Sequence, residues 1–287
     1  MTLLPFDFQF TQGNLQDYVD CRRRFQLRYL ERLAWPAVET EPFIENERRM
    51  HMGAAFHRLA QQHLLGMSAD RLSKMLSAGR SAGSDLERWW VNYREHVETI
   101  MGPHDSDVRP DGLLVETTLA APLGRYRLSA KYDAVLWQEN QGRVVIVDWK
   151  TSQKRPSRKR LESRLQTRVY PYLLVRCGLP AFGQLAPEQI EMVYWFPEFP
   201  LQPERFPYDQ ERYERDGATL EGLVAEIEGL GSDNYHLTQH TERCAFCTYR
   251  SLCDRGVRAG SLDDFDEDVA ADFGLTLEFD QIAEIEF

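Results

Sequence analysis

Six residues in the middle of the chain have the types and spacing to do chemistry together: Asp133, the run Asp148-Trp149-Lys150, and Gln166 with Tyr170. Residues two apart on a strand share a face, so Asp148 and Lys150 point the same way from the end of an apolar strand. In the preceding strand, alternation puts Tyr126, Leu128, Ala130, Tyr132 and Ala134 on one face and Arg127, Ser129, Lys131 and Asp133 on the other. If the two strands present Asp133 and Asp148 side by side, two carboxylates converge beside an ammonium. Left alone the carboxylates repel. A hard divalent cation removes that cost, and Mg2+ or Mn2+ suits oxygen ligands. Such a cation acidifies a bound water and offsets charge on a phosphoryl oxygen, while a lysine orients that water or stabilises the same charge. Gln166 and Tyr170, four apart on a helix, face the same side. Upstream, Gly53-Ala54-Ala55-Phe56-His57 sets an imidazole one turn beyond a glycine that lets its helix pack closely, which makes His57 a candidate third ligand.

Taken singly these features are ordinary. Asp-x-Lys occurs by chance in many proteins, and a histidine in a helix is more often a packing or surface residue. Their order and their secondary-structure settings give them weight.

A second group sits at the two ends. Cys244, Cys247 and Cys253 form C-x2-C-x5-C, and Cys21 lies more than two hundred residues earlier. The first residues lack the basic start and long apolar run of a signal peptide, so a cytoplasmic protein with reduced thiols is expected. A tight cysteine group there more often holds metal than a disulfide, and here it would staple the termini together. Cys177, at a helix end, reads as a small packing residue.

These residues need positioning elements. Near-helical spacing of Leu15, Tyr18, Val19, Phe25, Leu27, Tyr29, Leu30 and Leu33 predicts a helix over 14–33. Further helical segments are expected over Asn46–Met67 and Asp70–Ile100, and a loop over 102–107. Leu113–Leu119, Arg125–Trp137 and Arg143–Trp149 read as three strands of an antiparallel meander, separated by Pro122-Leu123-Gly124 and Glu139-Asn140-Gln141-Gly142. A basic helix (Ser157–Cys177), a strand (Ile190–Phe196) and a helix through Leu220, Leu223, Val224, Ile227 and Leu230 follow.

The net charge of −11 argues against a polyanionic partner until its distribution is considered. Residues 261–287 hold ten acids and no lysine or arginine, which leaves the first 260 near −1. Within those, 153–168 carries Lys154, Arg155, Arg158, Lys159, Arg160, Arg164 and Arg168 against Glu162 alone. Local basic surface, not global charge, decides whether a polyanion docks. Cys21–Arg32 is similarly basic, with Arg22, Arg23, Arg24, Arg28 and Arg32 against Glu31, and two solvated helix faces would give the same composition. The acidic tail, with Phe265, Phe273, Phe279 and Phe287, reads either as a solvated or partner-docking extension or as a mimic of nucleic acid that occupies the basic groove. No run approaches the ~18 apolar residues of a membrane helix.

With these motifs in order, the chain resembles the PD-(D/E)XK nuclease superfamily in its RecB-like branch. It is especially similar to the iron–sulfur members, the CRISPR-adaptation exonucleases and the AddB nuclease domain. That family's motifs fall on Gly53/His57, Asp133, Asp148-Trp149-Lys150 and Gln166/Tyr170, and its four-cysteine pattern on Cys21, Cys244, Cys247 and Cys253. The resemblance implies an α/β fold with a restriction-endonuclease-like core, a mixed sheet flanked by helices, under an iron–sulfur-stapled helical cover. It implies one nuclease domain over 1–256 followed by an acidic tail over 257–287. It further implies a Mg2+- or Mn2+-dependent exonuclease on DNA ends or single strands, working in DNA repair or CRISPR adaptation. Its catalytic metal would sit on His57, Asp133, Asp148 and the Trp149 carbonyl. Lys150 would assist the attacking water, Gln166 and Tyr170 would position Lys150 and the DNA backbone, and the cysteines would hold a 4Fe-4S cluster. Zinc is the alternative for that site, although its sites favour two close pairs over a trio and one distant residue. Arg158, Lys159, Arg164 and Arg168 can reach phosphates. The sequence departs from the family in having Tyr132 where proline precedes the first Asp, Ala130 in place of a glycine, and Pro171 directly after Tyr170. With no phosphate-loop motif of its own, any unwinding falls to a helicase partner. The competing reading is a non-catalytic DNA-binding subunit that keeps the fold.

Overall fold

The computed structural model describes residues 4–34, 41–78, 84–101, 112–139, 142–180, 182–231 and 234–256. The expected loop at 102–107 and the acidic tail lie outside the described residues.

Six strands form one mixed sheet among the described residues: β1 (Gln9–Thr11), β2 (Gly112–Leu123), β3 (Tyr126–Gln138), β4 (Arg143–Trp149), β5 (Ile190–Trp195) and β6 (Glu204–Pro207). The expected meander is β2-β3-β4, antiparallel throughout. The turn between β2 and β3 is tighter than the sequence suggests. Pro122 and Leu123 remain in the strand, and Gly124 turns the chain at φ +60, a conformation that glycine adopts without strain. β4 pairs with β5 in parallel through a helical crossover, and β1 pairs with β3 in parallel over three residues. Strand β3 is thus paired with β2 along one edge, while β1 and β4 share the other.

Helices cover both faces, which is how a sheet containing parallel strands keeps both sides dry. On one face α1 (Gln12–Asp20), α7 (Leu165–Cys177) and α8 (Gln210–Gly229) bury Leu15, Tyr18, Val169, Leu173, Leu220 and Ile227 against Leu128, Tyr132, Val144 and Ile146. On the other, α3 (Glu41–Leu64), α4 (Ala69–Ala78) and α5 (Ser84–Met101) pack Phe56, Leu72, Trp89, Trp90 and Tyr93 against Val145, Val147, Trp149 and Trp195. Removing a side chain such as Phe56 from water stabilises the fold by roughly 2–3 kcal/mol.

Two expected helices are broken. The stretch over 14–33 is α1, capped by a reciprocal Thr11–Asn14 bond pair, then an extended residue at Cys21 (φ −161, ψ 107), a short α2 (Arg22–Phe25) and a π-helical turn over Gln26–Leu30. The basic helix over 157–177 is α6 (Arg158–Ser163) and α7, separated by an extended Arg164. The polar region over 70–100 is α4 and α5. Helix α7 runs on through Pro171 to Cys177.

One face assignment is also corrected. Ala134 packs in the core on the opposite side of the sheet from Tyr126, Leu128, Ala130 and Tyr132. The alternation on β3 skips a step at Asp133, the point where β3 leaves β4.

Candidate active site

The β3–β4 ladder starts at Ala134↔Val147 and does not include Asp133 and Asp148. With no backbone partner on that edge, the Asp133 side chain takes over, and its Oδ2 accepts the Trp149 N–H at 2.8 Å. Its other oxygen, Oδ1, lies 3.2 Å from His57 Nδ1. Helix α3 delivers that imidazole because it passes close to the end of β4. A Cβ on Gly53 would sit 2.8 Å from Thr151 Oγ1, tighter than side chains tolerate. Glycine there is a packing requirement, and His57 follows one turn later.

Asp148, Lys150 and Gln166 form a closed triangle. Gln166 Nε2 donates to Asp148 Oδ1 at 2.6 Å, Lys150 Nζ donates to Gln166 Oε1 at 2.8 Å, and Lys150 Nζ pairs with Asp148 Oδ2 at 2.9 Å. The break at Arg164 allows this, because α7 starts afresh with Gln166 in its first turn, buried and aimed at the end of β4. Tyr170, one turn on, packs on Tyr132 with ring centroids 4.8 Å apart, and the Tyr132 hydroxyl donates to the Tyr170 carbonyl at 2.8 Å. The tyrosine standing in place of proline therefore ties β3 to α7. Trp149 turns its ring into the opposite core, edge-on to Tyr93 and Trp195, and leaves its backbone at the site.

The two carboxylates are pushed in opposite directions. Burial raises the pKa of Asp133, but the His57 charge and hydrogen bond, the Trp149 N–H and Lys150 outweigh it and hold the group below the usual carboxylate value. Asp148 is raised, first by burial and then by the Asp133 charge, against the pull of Lys150. For His57, burial acts downward, but Asp133, Asp148 and Glu116 prevail and lift it to about 9. This concentration of negative charge suits a divalent cation. Asp148 Oδ2 is buried with no hydrogen bond, only the Lys150 ion pair, and is open to a cation as well.

Glu116 was not anticipated from the sequence. On β2 it lies opposite Asp133, and its carboxylate, the His57 ring and the Asp133 carboxylate bring ligand atoms within 4.8 Å of one another. The hairpin register could have found it, since Leu123 opposite Tyr126 places residue 116 opposite 133.

The basic residues after β4 are spread around the rim. Arg158 pairs with Glu204 at 2.8 Å and lies 4.4 Å over the Phe206 ring. Lys159 is exposed and Arg164 is half-buried at the helix break. Arg168 lies 3.7 Å from Asp216 and lines a cavity of about 320 Å3 together with Arg212 and Arg215.

At the far corner the chain ends meet. Tyr249 donates to the Leu33 carbonyl at 3.0 Å, the Arg23 N–H bonds the His236 carbonyl, Arg243 pairs with Asp20, and Phe25 stacks on Tyr235. The break at Cys21 puts its thiol in electrostatic reach of Cys244, Cys247 and Cys253, all four free. Burial and the mutual repulsion of these sulfurs push the last three upward, Cys247 to about 11. The three thiols whose ionisation is disfavoured, with Cys21 beside them, would ionise only against a centre that supplies compensating positive charge. Cys177 stands apart and is exposed.

Comparison with known proteins gives the family. The model of the PD-(D/E)XK nuclease superfamily matches residues 9–254, and the chain belongs to that superfamily. Its mixed sheet flanked by helices is the restriction-endonuclease-like α/β core, and its shared chemistry is metal-dependent nuclease chemistry. No curated protein matches the sequence. Among solved structures, the chain is similar to a protein from Eubacterium rectale named "Putative exonuclease", at 9% identity and a TM-score of 0.43, over 76% of this chain and 79% of that one. Among the described residues, no helix is long and apolar enough to cross a membrane.

Proposed function

We propose that the protein is a Mg2+- or Mn2+-dependent deoxyribonuclease acting at DNA ends or on single strands. The observation that carries this reading is the closed triangle of Asp148, Lys150 and Gln166 beside the Asp133–His57 pair. A metal nuclease needs oxygen ligands, a fixed ammonium and a polar group to hold both, within one buried pocket. His57, Asp133, Asp148 and the Trp149 carbonyl would hold the cation, which supplies an acidified water and neutralises phosphoryl charge. Lys150 orients the attacking water and faces the oxygen on which charge develops. Gln166 fixes both Lys150 and Asp148, so neither has to reorganise during the reaction. Tyr170 braces Gln166, and Lys159 with its arginine neighbours gives the strand a cationic rim.

The cysteine corner serves as a staple. We assign it a 4Fe-4S cluster on Cys21, Cys244, Cys247 and Cys253, a choice supported by the irregular trio-plus-one spacing. The family resemblance, not the spacing, is what suggests DNA processing, repair or CRISPR adaptation as the setting, with unwinding supplied by a partner helicase.

The test is cleavage of end-labelled single- and double-stranded DNA by anaerobically purified protein, with Mn2+, with Mg2+ and with chelator. Metal-dependent product ladders growing from one labelled end establish the reading and give polarity. Salt-sensitive binding without cleavage by cluster-loaded protein contradicts it and identifies a binding subunit.

A further inference from the structure

Three arginines beside the last strand of the sheet are left with little to bond. Arg212 and Arg215 lie three residues apart near the start of α8, and so are neighbours on its surface. With Arg168 of α7 they line the cavity of about 320 Å3, whose buried lining includes Thr167, Tyr208 and Asp216. Each guanidinium has an acid near it, but the pairs are long. Arg168 stands 3.7 Å from Asp216, Arg215 stands 3.8 Å from Glu211, and Arg212 Nε stands 3.9 Å from Asp209. Contacts beyond about 3.5 Å are not hydrogen bonds. Among the described residues, the only side-chain hydrogen bond from the three is Arg212 Nη2 to the exposed Glu162, at 3.3 Å.

The arginines next to them are committed. Arg155 and Arg158 both bond the buried Glu204, and Arg205 bonds Glu191 at 3.0 Å. Asp216 does not do the same for the cavity. It accepts the Tyr208 hydroxyl at 3.1 Å, and burial holds its pKa above the usual carboxylate value, which weakens its claim on Arg168. Guanidinium forks match the oxygens of a phosphate, and several around one space favour a dianion over a single carboxylate. A phosphodiester in a strand runs on in both directions and needs an open groove. A cavity of this size with a buried lining suits a group that ends in it.

We propose that Arg168, Arg212 and Arg215 form a phosphomonoester-binding site, which takes the phosphate of a free mononucleotide or the terminal phosphate of a nucleic-acid strand. A short chain of contacts joins it to the catalytic pocket. Thr167 Oγ1 meets the Tyr194 hydroxyl at 2.8 Å, and Lys150 Nζ lies 5.5 Å over the Tyr194 ring. The site does not depend on the nuclease reading, because it needs neither a cation nor Asp148.

The experiment is calorimetric titration of the full chain in chelator. The ligands are inorganic phosphate, deoxyadenosine 5′-monophosphate, deoxyadenosine, and single-stranded oligonucleotides with and without a terminal phosphate. Wild type and Asp148→Asn should each bind one deoxyadenosine monophosphate per chain, and neither should bind deoxyadenosine. Arg168→Gln, Arg212→Gln and Arg215→Gln should each weaken that binding by about tenfold or more, the worth of one charge-assisted hydrogen bond. The Arg215 side chain is 54% exposed, so its variant should keep the wild-type melting temperature while losing affinity. Tighter binding of phosphate-ended oligonucleotides that the variants lose assigns the site to strand ends. Mononucleotide binding without that preference assigns it to a free ligand. No saturable binding of phosphate or mononucleotide by wild type, or binding undiminished in all three variants, overturns the proposal. Metal-dependent cleavage that needs Asp148 would then still carry the nuclease reading.

Discussion

The catalytic pocket and the cysteine corner are built on opposite plans. In the pocket, hard ligands sit on strands and helices whose positions the sheet already fixes, and every charged group has a protein partner: Asp148 with Lys150 and Gln166, Asp133 with His57 and Trp149 N–H, Glu116 with Lys131. At the corner, four thiols sit on a helix break and on turns near the two ends of the described chain, held by a handful of bonds between segments more than two hundred residues apart. The lesson concerns rigidity. A site that must act on a substrate is preorganised by the fold, whereas a site that only joins segments can depend on its own centre for order.

That contrast can be broken by variants, and the largest effect belongs in the pocket. Lys150→Met should lower the single-turnover cleavage rate by about 10²–10⁴, with Mn2+ binding retained. A variant that cuts normally would remove Lys150 from the chemistry.

Stability should respond at the corner instead. Arg24 is buried between Asp17 (2.8 Å) and Asp20 (3.2 Å), and Asp17 also takes Arg28 at 3.1 Å. Replacing Arg24 with Met leaves buried carboxylates short of a cation, at a cost of about 3–5 kcal/mol. Denaturant unfolding measures it; a loss under about 1 kcal/mol would show that the corner carries little of the fold. Cys253→Ser should destabilise the same region and abolish the visible absorption of an iron–sulfur centre, with the Asp148 triangle unaffected.

A smaller effect tests how the helix is set against the strand. Gly53→Ala should cost about 1–3 kcal/mol through the clash with Thr151 Oγ1. Adding Thr151→Ala should restore most of it. Failure of the second change to rescue the first would mean that the close approach does not limit the site.

The smallest effect is the pH dependence of the cation-free protein. His57 titrates near 9 when folded and near 6.5 when unfolded, so its pairing with Asp133 stabilises fully below about 6.5 and is lost as pH rises through 9. Because the ring is a third exposed, solvent screening keeps the effect small. The difference in melting temperature between wild type and His57→Gln, in chelator, should shrink between pH 6.5 and 9.5. Cation affinity should rise over the same range, since the ligand must be neutral.

Much of the pocket was readable in the chain because strand period and hairpin turns are local. Asp148 and Lys150 share a face by alternation, and Gly53 with His57 falls one turn apart. Glu116 was overlooked because one acid among Leu, Val and Thr carries no periodic signal, although the hairpin register places it opposite Asp133. The breaks at Cys21 and Arg164 were hidden for another reason. Leu15, Tyr18 and Phe25 all face one core and Leu27 is buried as well, so the apolar period runs on across the interruption. Only the partners at the far end of the chain, and the bond from Gln166 to Asp148, require those breaks. The acidic tail lies outside the described residues. If it occupies the basic groove, deleting 261–287 should raise DNA affinity at low salt, and unchanged affinity would exclude that role.

The most direct test of the central claim, that the Asp148 pocket and not the cysteine corner performs the chemistry, is a paired measurement on Asp148→Asn. Single-turnover cleavage of end-labelled DNA in Mn2+ would be read beside the visible absorption and melting temperature of the same preparation. The expected result is cleavage lowered by at least about a thousandfold, with absorption and melting temperature at wild-type values. Cleavage at the wild-type rate by a folded, loaded Asp148→Asn protein would contradict the claim.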